Sequence, residues 1–547
     1  MRDFYLKNKP LIILWLLCFI ALIIFTGHYT NILFDVGREV YYPERILEGK
    51  VLYKDLFNIY GPFSYLLNAL LYKIFSVNLA VLYCSGAVCS LGIVSGIYLI
   101  AKKFLNIPLS FAIALFTIAT GVCSANLFNF TFPYSWAMLY GTLSFIYSLY
   151  FLIRYCQEGR SNFFYISSLL AGLAVANKYE FVIYAGILFL VALFSKNKTI
   201  ILNFITSFLI FPVICFGILF LQGLRTEHLI TAVQEIKKLM NAETLKYFYM
   251  TQGVFFHPKA LPVWGISLLK TGIPFTGMLF SYRLFDKNKT LSVTLITVFA
   301  IIEYFLCDPK VFVFLIPLTV ILAVCGFKKV KTDISLILLI LSAVSVSLKS
   351  FWGLTPLNYG NFYAPVILIA FFGVLYSFVC NKYQNIAAIF ISVISLCFLN
   401  SNIYQRTFLN GKISSPHGTI FTYKHQAEPA NQVLSLLNNY KKGTQALIYP
   451  EGLLLNFLSK NNIKSDDYYN SLLPLYQESM GEENFINILN KEQPTLVIFN
   501  NQSTKDYYFE YICSSYAFNF CNTVKKDYKE INYIKGGTSY MIFQRKK

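Results

Sequence analysis

The chain has 547 residues, of which 56% are hydrophobic, 18% aromatic and only 13% charged. Apolar runs of about 17–22 residues recur along it, which excludes a soluble globular protein and marks a polytopic membrane protein. The net charge is +19, with about +15 before residue 400 and about +4 after it. That excess suits anionic membrane lipids or lipid phosphates, and with no basic arm or binding motif in view no nucleic-acid partner is expected.

The first apolar run, Leu11 to Gly27, has a basic flank but no small-residue cleavage site after it, so it is read as a retained anchor. About thirteen transmembrane helices are expected, at roughly 11–27, 80–100, 109–125, 135–153, 164–177, 181–194, 199–221, 262–281, 290–306, 311–326, 333–349, 362–379 and 385–400. A continuous helix over 164–194 would be about 46 Å long, too long for a ~30 Å hydrocarbon core. A hairpin with Lys178, Tyr179 and Glu180 at its tip is expected instead. With Arg2, Lys7 and Lys9 in the cytoplasm, the short basic loops alternate to the inside, and the C-terminal part ends outside. Ten of the twelve cysteines lie in or beside apolar segments; Cys513 and Cys521 lie in the polar tail, where a disulfide and two free thiols are both open.

The expected organisation is a multispanning domain over 1–400, with long outside loops at 28–79 and 222–261, and a small extracytoplasmic α/β domain over 401–547. In the first loop a short helix is expected over Pro43–Glu48, ended by Gly49. A second is expected after Pro62, with Phe63, Leu66, Leu67, Leu70, Leu71, Ile74 and Phe75 on one stripe, lying on the membrane rather than crossing it. The loop 222–261 carries a similar element with Leu229, Ile230, Val233, Ile236 and Met240 on one face. In the tail, strands are expected over Thr444–Tyr449, Thr495–Asn500 and Ser539–Gln544, and helices over Gly452–Ser459, Glu482–Leu489 and Asp506–Tyr516.

The first loop packs five acids and four bases into 34–65, the densest charge in a mostly apolar chain. Its pattern runs Asp35, Gly37, Arg38–Glu39, Tyr41, Gly49, Tyr53, Asp55 and Tyr60–Gly61–Pro62. That pattern, with the architecture of the first 400 residues, resembles the GT-C glycosyltransferases. It is most similar to the bacterial aminoarabinose transferases, protein O-mannosyltransferases and lipopolysaccharide-core galacturonosyltransferases.

The resemblance implies transfer of a sugar, with inversion, from a polyprenyl-phosphate donor to a hydroxyl on a lipid, glycan or protein acceptor. It also implies a place in the bacterial inner membrane. Asp35 is the candidate catalytic base, since a positioned carboxylate that takes the hydroxyl proton supplies roughly 10²–10⁴-fold; an interfacial helix cap is the structural alternative. Arg38 and Lys178 are candidates for the donor phosphate, because fixed cations stabilise the charge that grows on it. Arg38 has an alternative as an ion-pair partner of Glu39 or Glu44. Arg225 and Lys259 are weaker candidates. Glu39 and Asp55 are possible supporting acids that, with Asp35, suit a divalent cation by their chemistry. However, Val36 stands where some of these enzymes have a second acid, and loop 126–134 has none, so no metal is assigned. Glu303 and Asp308 flank the end of a span and are functional candidates as membrane-embedded acids. A transporter of lipid-linked sugars is the rival function, and a non-catalytic envelope scaffold is a third; no internal repeat supports the transporter.

Overall fold

The computed structural model describes residues 2–307, 315–355 and 358–546. Asp308 and the start of the expected span 311–326 lie outside the described residues. The chain runs through α1 (Arg2–Phe25), α2 (Gly37–Leu47), α3 (Phe63–Phe75), α4 (Leu79–Phe104), α5 (Ile107–Thr117), α6 (Trp136–Glu158), α7 (Ser161–Asn177), α8 (Val182–Phe194) and α9 (Lys198–Leu221). It continues through α10 (Thr226–Asn241), α11 (Glu243–Gln252), α12 (Ala260–Arg283), α13 (Lys289–Leu306), α14 (Leu315–Cys325), α15 (Phe327–Val330), α16 (Ile334–Ser347), α17 (Gly360–Phe378) and α18 (Gln384–Phe408). Among the described residues, eight helices are long and apolar enough to cross a membrane. They are α1, α4, α6, α9, α12, α13, α17 and α18. The other expected spans fall on shorter helices.

Small polar residues start many of these helices. Asn78, Asn106, Ser135, Asn197, Asn288 and Asp333 each accept a backbone N–H of the following first turn. The hairpin expected at 164–194 is present: α7 ends at Asn177, and Tyr179–Phe181 form one 3₁₀ turn leading into α8. Helices α6 and α17 are mostly buried in the bundle, whereas α9, α12 and α13 leave most of their surface open.

α3 is short and turns its polar side inward. Ser64, Tyr65, Asn68 and Tyr72 are buried while Leu70, Ile74 and Phe75 are exposed, the arrangement of a helix with its apolar stripe towards lipid. α2 is longer than expected, beginning at Gly37, so Pro43 lies inside it rather than in its first turn. The helix starts early because Asp35 takes a left-handed conformation (φ +60°) and turns the chain directly into it. Asp is among the few residues other than Gly that visit this region readily. Gly49, at φ +92°, ends the helix as expected.

The tail contains the hairpin β1 (Gly411–Ser415) and β2 (Gly418–Thr422), then α19 (Lys424–Leu437), β3 (Ala446–Tyr449), α20 (Leu453–Leu458), α21 (Pro474–Met480) and α22 (Glu482–Glu492). It ends with β4 (Leu496–Asn500), α23 (Phe518–Asp527), β5 (Tyr528–Ile534) and β6 (Tyr540–Arg545). The four-stranded sheet has the order β3-β4-β6-β5; β3 and β4 are parallel and the other pairs antiparallel. Ile448, Leu496, Ile498 and Ile542 pack on the side of α19 and α20, while Tyr449, Val497, Phe499 and Phe543 pack on the side of α22 and α23. Both faces are therefore covered, and the strands read as short continuous apolar runs.

The helix expected over Asp506–Tyr516 does not form. Tyr508, Cys513 and Ala517 all have positive φ, which breaks a right-handed helix, and the helix lies downstream at α23. A disulfide between Cys513 and Cys521, with Cα atoms 5.6 Å apart, ties this turn to α23.

The C-terminal domain sits on the face that carries the loop between α1 and α4. Tyr29 donates its backbone N–H to Phe421 O at 2.9 Å, and Leu79 N–H reaches His417 O at 2.8 Å. α2 packs against α20 so closely that a Cβ on Gly37 would lie 2.5 Å from the Leu454 nitrogen.

Candidate functional site

One cavity lies where α2, the turn before it and the C-terminal domain meet. Asp35, Arg38, Tyr42 and Phe57 line it from the first loop, and Glu451, Tyr468, Asn470 and Tyr476 from the tail. Asp35 is open to the cavity while protein encloses the cavity itself. This enclosure pushes the Asp35 carboxyl above its usual range; the Arg38 guanidinium opposes the shift and Asp506 adds to it.

Arg38 projects from the first turn of α2. Its Nε is 3.6 Å from Glu39 Oε1, and its guanidinium lies 5.3 Å from the centre of the Tyr60 ring. That Nε has no hydrogen-bond partner among the described residues. The expected Arg38–Glu39 pairing is therefore loose and leaves donor capacity for an anion.

Glu39 itself is fully buried below the cavity. It accepts Tyr65 Oη–H at 2.7 Å and the Trp136 backbone N–H at 2.9 Å, so it holds α2, α3 and α6 together. Asp55 is elsewhere, in a separate polar cleft with Lys54 and Lys464, where its Oδ2 accepts the Val51 N–H at 2.9 Å. The structure thus brings neither supporting acid into the cavity with Asp35. Among the described residues no three His, Cys, Asp or Glu side chains converge as a metal site would need.

Lys178 lies one aromatic ring away from Arg38. Its Nζ is 5.2 Å from the centre of the same Tyr60 ring, 3.0 Å from Tyr134 Oη and 3.5 Å from Glu180 Oε1. The Tyr60–Gly61–Pro62 turn is clamped onto the end of α7 beside it. Gly61 N–H donates to Asn177 O at 2.9 Å, and Ala176 O leaves no room for a Cβ on Gly61. Lys349 adds a cation that sequence reasoning missed, 2.7 Å from Glu180 Oε2 and 5.1 Å from the Tyr359 ring centre. Tyr363 Oη–H also donates to Glu180. The Tyr60 ring separates Arg38 from Lys178, and the Glu180 carboxylate bridges Lys178 and Lys349. Arg225 and Lys259 line no part of the cavity; each stands at the head of an exposed helix turn.

Glu451 is the other functional residue missed. It follows β3 in the Tyr449–Pro450–Glu451–Gly452 turn, and Gln502 Nε2–H donates to its Oε2 at 3.2 Å. Burial, with the Asp35 charge adding to it, pushes its carboxyl up to about 8.

α10 and α11, from the other long loop, dock on the C-terminal domain. Glu478 of the C-terminal domain accepts the backbone N–H groups of Glu243 and Thr244 at 2.8 and 3.1 Å, and Phe248 stacks on Tyr507 at 5.0 Å. The expected apolar face of α10 is displayed, with Ile230, Val233 and Met240 exposed.

Residues 60–219 match the sequence model of a family described as dolichyl-phosphate-mannose-protein mannosyltransferase. The match starts inside the first-loop pattern, at Tyr60, and takes in Lys178; it bears out the resemblance to GT-C membrane glycosyltransferases. A search of curated protein sequences finds no match. Among solved structures, the chain is similar to ArnT from Cupriavidus metallidurans bound to undecaprenyl phosphate, at 10% identity and TM-score 0.46, covering 98% of both chains. It is also similar to the Archaeoglobus fulgidus oligosaccharyltransferase in complex with Zn and sulfate, at 14% identity and TM-score 0.49, covering 97% of this chain and 72% of that one. Likenesses this loose transfer neither a residue nor a substrate.

Proposed function

We propose that this chain is a membrane glycosyltransferase. It moves a sugar from a polyprenyl-phosphate carrier to a hydroxyl on a lipid, glycan or protein acceptor, with inversion at the anomeric carbon. The observation that carries this is the pairing of Asp35 with Arg38 in one enclosed cavity beside the membrane-embedded bundle. The family match over 60–219 supports the donor class.

In this mechanism the acceptor oxygen attacks the anomeric carbon while Asp35 takes its proton. The bond from that carbon to the phosphate oxygen breaks on the opposite face. The electron pair leaves with the lipid phosphate, whose added negative charge meets Arg38 and, past the Tyr60 ring, Lys178 and Lys349. The work is placed at the bacterial inner membrane, with the N-terminus cytoplasmic and the cavity and C-terminal domain outside.

The test is mass spectrometry of envelope glycolipids and glycans from a deletion strain complemented with wild type or Asp35→Asn. One sugar mass should disappear on deletion and return with wild type only. Full restoration by an equally expressed Asp35→Asn variant would remove Asp35 as the base.

A further inference from the structure

A second cleft, of about 610 Å³, opens between the first loop and the C-terminal domain. It adjoins the Asp35 cavity at Tyr468, which lines both. Phe57, on the cavity side, meets that ring edge-on at 5.6 Å, and Tyr468 Oη–H donates to Glu235 of α10. The residues around the cleft come from α2, the loop after it and the tail; no spanning helix contributes. None of its charged groups takes part in the transfer step.

We propose that this cleft is the acceptor subsite and that the acceptor is an anionic oligosaccharide. The proposal rests on the transferase function for what the occupant is used for, not for its binding, and it chooses among the three acceptor classes left open there.

Charge selects an anion. The cleft's aspartates are committed inside the protein. Asp467 takes Arg45 through two hydrogen bonds and Lys50 Nζ at 3.0 Å. Asp55 accepts the Val51 N–H at 2.9 Å, and Asp466 accepts the Tyr468 N–H at 3.0 Å. The lysines are held more loosely. Lys464 Nζ is 3.4 Å from Glu48 Oε2, and Lys491 Nζ is 3.9 Å from Glu492 Oε1. Glu48 is itself shared with Arg45 and Asn462. Lys54 has no ion pair among the described residues. Ammonium groups beside acids that are already satisfied attract a carboxylate or phosphate from outside.

Shape then selects a sugar. β3 is an edge strand, the natural seat for an added peptide strand. Where it meets the cleft that edge is already closed, because Ala446 N–H donates to Lys464 O at 2.8 Å and Lys464 N–H to Thr444 O at 2.9 Å. A lipid chain would need an apolar wall, and the bundle supplies none here. At the threshold the Tyr468 ring offers an apolar surface. Beyond it Ser471 Oγ lines the cavity with no hydrogen-bond partner among the described residues. A pyranose matches both, with C–H faces on its ring and hydroxyls on its rim. A chain lying along the lysines would pass its end over Tyr468 and present a hydroxyl to Asp35.

The experiment uses the full-length protein in lipid nanodiscs. Binding of a short oligogalacturonide, which carries a carboxylate on every ring, is compared with that of a neutral dextran oligosaccharide and of a polyglutamate peptide of equal charge. The oligogalacturonide should bind most tightly, and added salt should weaken it. Lys54→Glu with Lys491→Glu should weaken it about tenfold, whereas Lys525→Glu with Lys526→Glu, the same change of net charge on α23, should leave it within about twofold. All four lysines are exposed, so neither pair of changes burdens folding. The proposal is overturned if the oligogalacturonide does not bind, if dextran or the peptide binds as tightly, or if the two charge-reversed pairs weaken it equally. If binding behaves as stated but deletion of the chain removes no sugar mass from the envelope, the subsite stands and the transferase function falls. If a sugar mass is lost on deletion and Lys54→Glu with Lys491→Glu restores it as fully as wild type does, the transferase function stands and the subsite falls.

Discussion

Arg45 of α2 and Asp467 of the C-terminal domain meet through two parallel hydrogen bonds, Nε to Oδ1 at 2.8 Å and Nη2 to Oδ2 at 3.0 Å. Lys50 Nζ adds a third contact to Asp467 at 3.0 Å, and Tyr42 Oη accepts Asn470 Nδ2–H at 2.8 Å nearby. This joint fixes the tail over the first loop, and the cavity exists only while it is closed. Arg45 is nearly fully buried, so Arg45→Ala should cost about 3 kcal/mol by removing the buried partner of Asp467 and leaving it the half-exposed Lys50 alone as a cation. The double change Arg45→Met with Asp467→Leu should recover much of that. Thermal unfolding and protease release of the C-terminal domain measure it; equal single and double variants would contradict a coupled pair.

Asp35→Asn should lower kcat by roughly 10²–10⁴-fold with the donor KM little changed. The base must be ionised to work, and enclosure raises its pKa, so activity should fall on acidification at a pH above the usual carboxylate range. Arg38 counters that rise, so Arg38→Met should move the acid limb to still higher pH besides weakening the donor. A limb that stays put in Arg38→Met would separate the two residues.

Gly37→Ala and Gly61→Ala should each disturb the site without touching a charge. Both glycines face backbone atoms at distances a methyl group cannot occupy, and overpacking of this kind costs about 1–3 kcal/mol. Gly37→Ala should loosen the C-terminal domain and Gly61→Ala should shift Tyr60. Protease sensitivity of the tail distinguishes them, rising in the first and not in the second.

Lys178→Met should raise the donor KM, and Lys349→Met should do so more weakly. Both lysines share Glu180, so Glu180→Gln should leave them repelling each other and should be worse for folding than either lysine change alone. Expression yield and donor titration in nanodiscs read the two effects. Equal KM values across the set would remove these lysines from the donor path.

Cys513 and Cys521 should resist alkylation until the protein is reduced, whereas exposed Cys84 and Cys380 should label at once. Such pairs persist in oxidising compartments, so this also tests the side of the membrane on which the tail folds. Labelling of all four without reductant would place the tail in a reducing compartment.

Much of the bundle was legible because apolar runs and a fixed membrane thickness leave few choices. The hairpin tip at Lys178–Glu180 followed from length alone, and the Asp35–Arg38 pair stood out as charge in an apolar chain. The Tyr449–Pro450–Glu451–Gly452 turn stands out in the tail, but nothing in the sequence gives Glu451 a role; its place beside Asp35 comes from the docking of the two ends of the sequence. Lys349 was hidden by lying at the end of an apolar run, where it reads as a boundary. Glu39 and Asp55 misled in the opposite way, since sequence proximity to Asp35 is undone when α2 turns Glu39 beneath the cavity and the chain carries Asp55 to another cleft. The expected helix over Asp506–Tyr516 failed because its pattern does not reveal the left-handed Tyr508 and Cys513 or the cross-link.

The two-ended construction of the cavity has a consequence for biogenesis. While the ribosome is still making the tail, the bundle can already be inserted, yet Asp35 has no Glu451 above it and α2 no Asp467 to dock on. A chain cut short before β3 would span the bilayer and still be inert. Under the proposed function competence arrives last, when the tail folds onto the first loop, so a half-made molecule leaves the donor untouched.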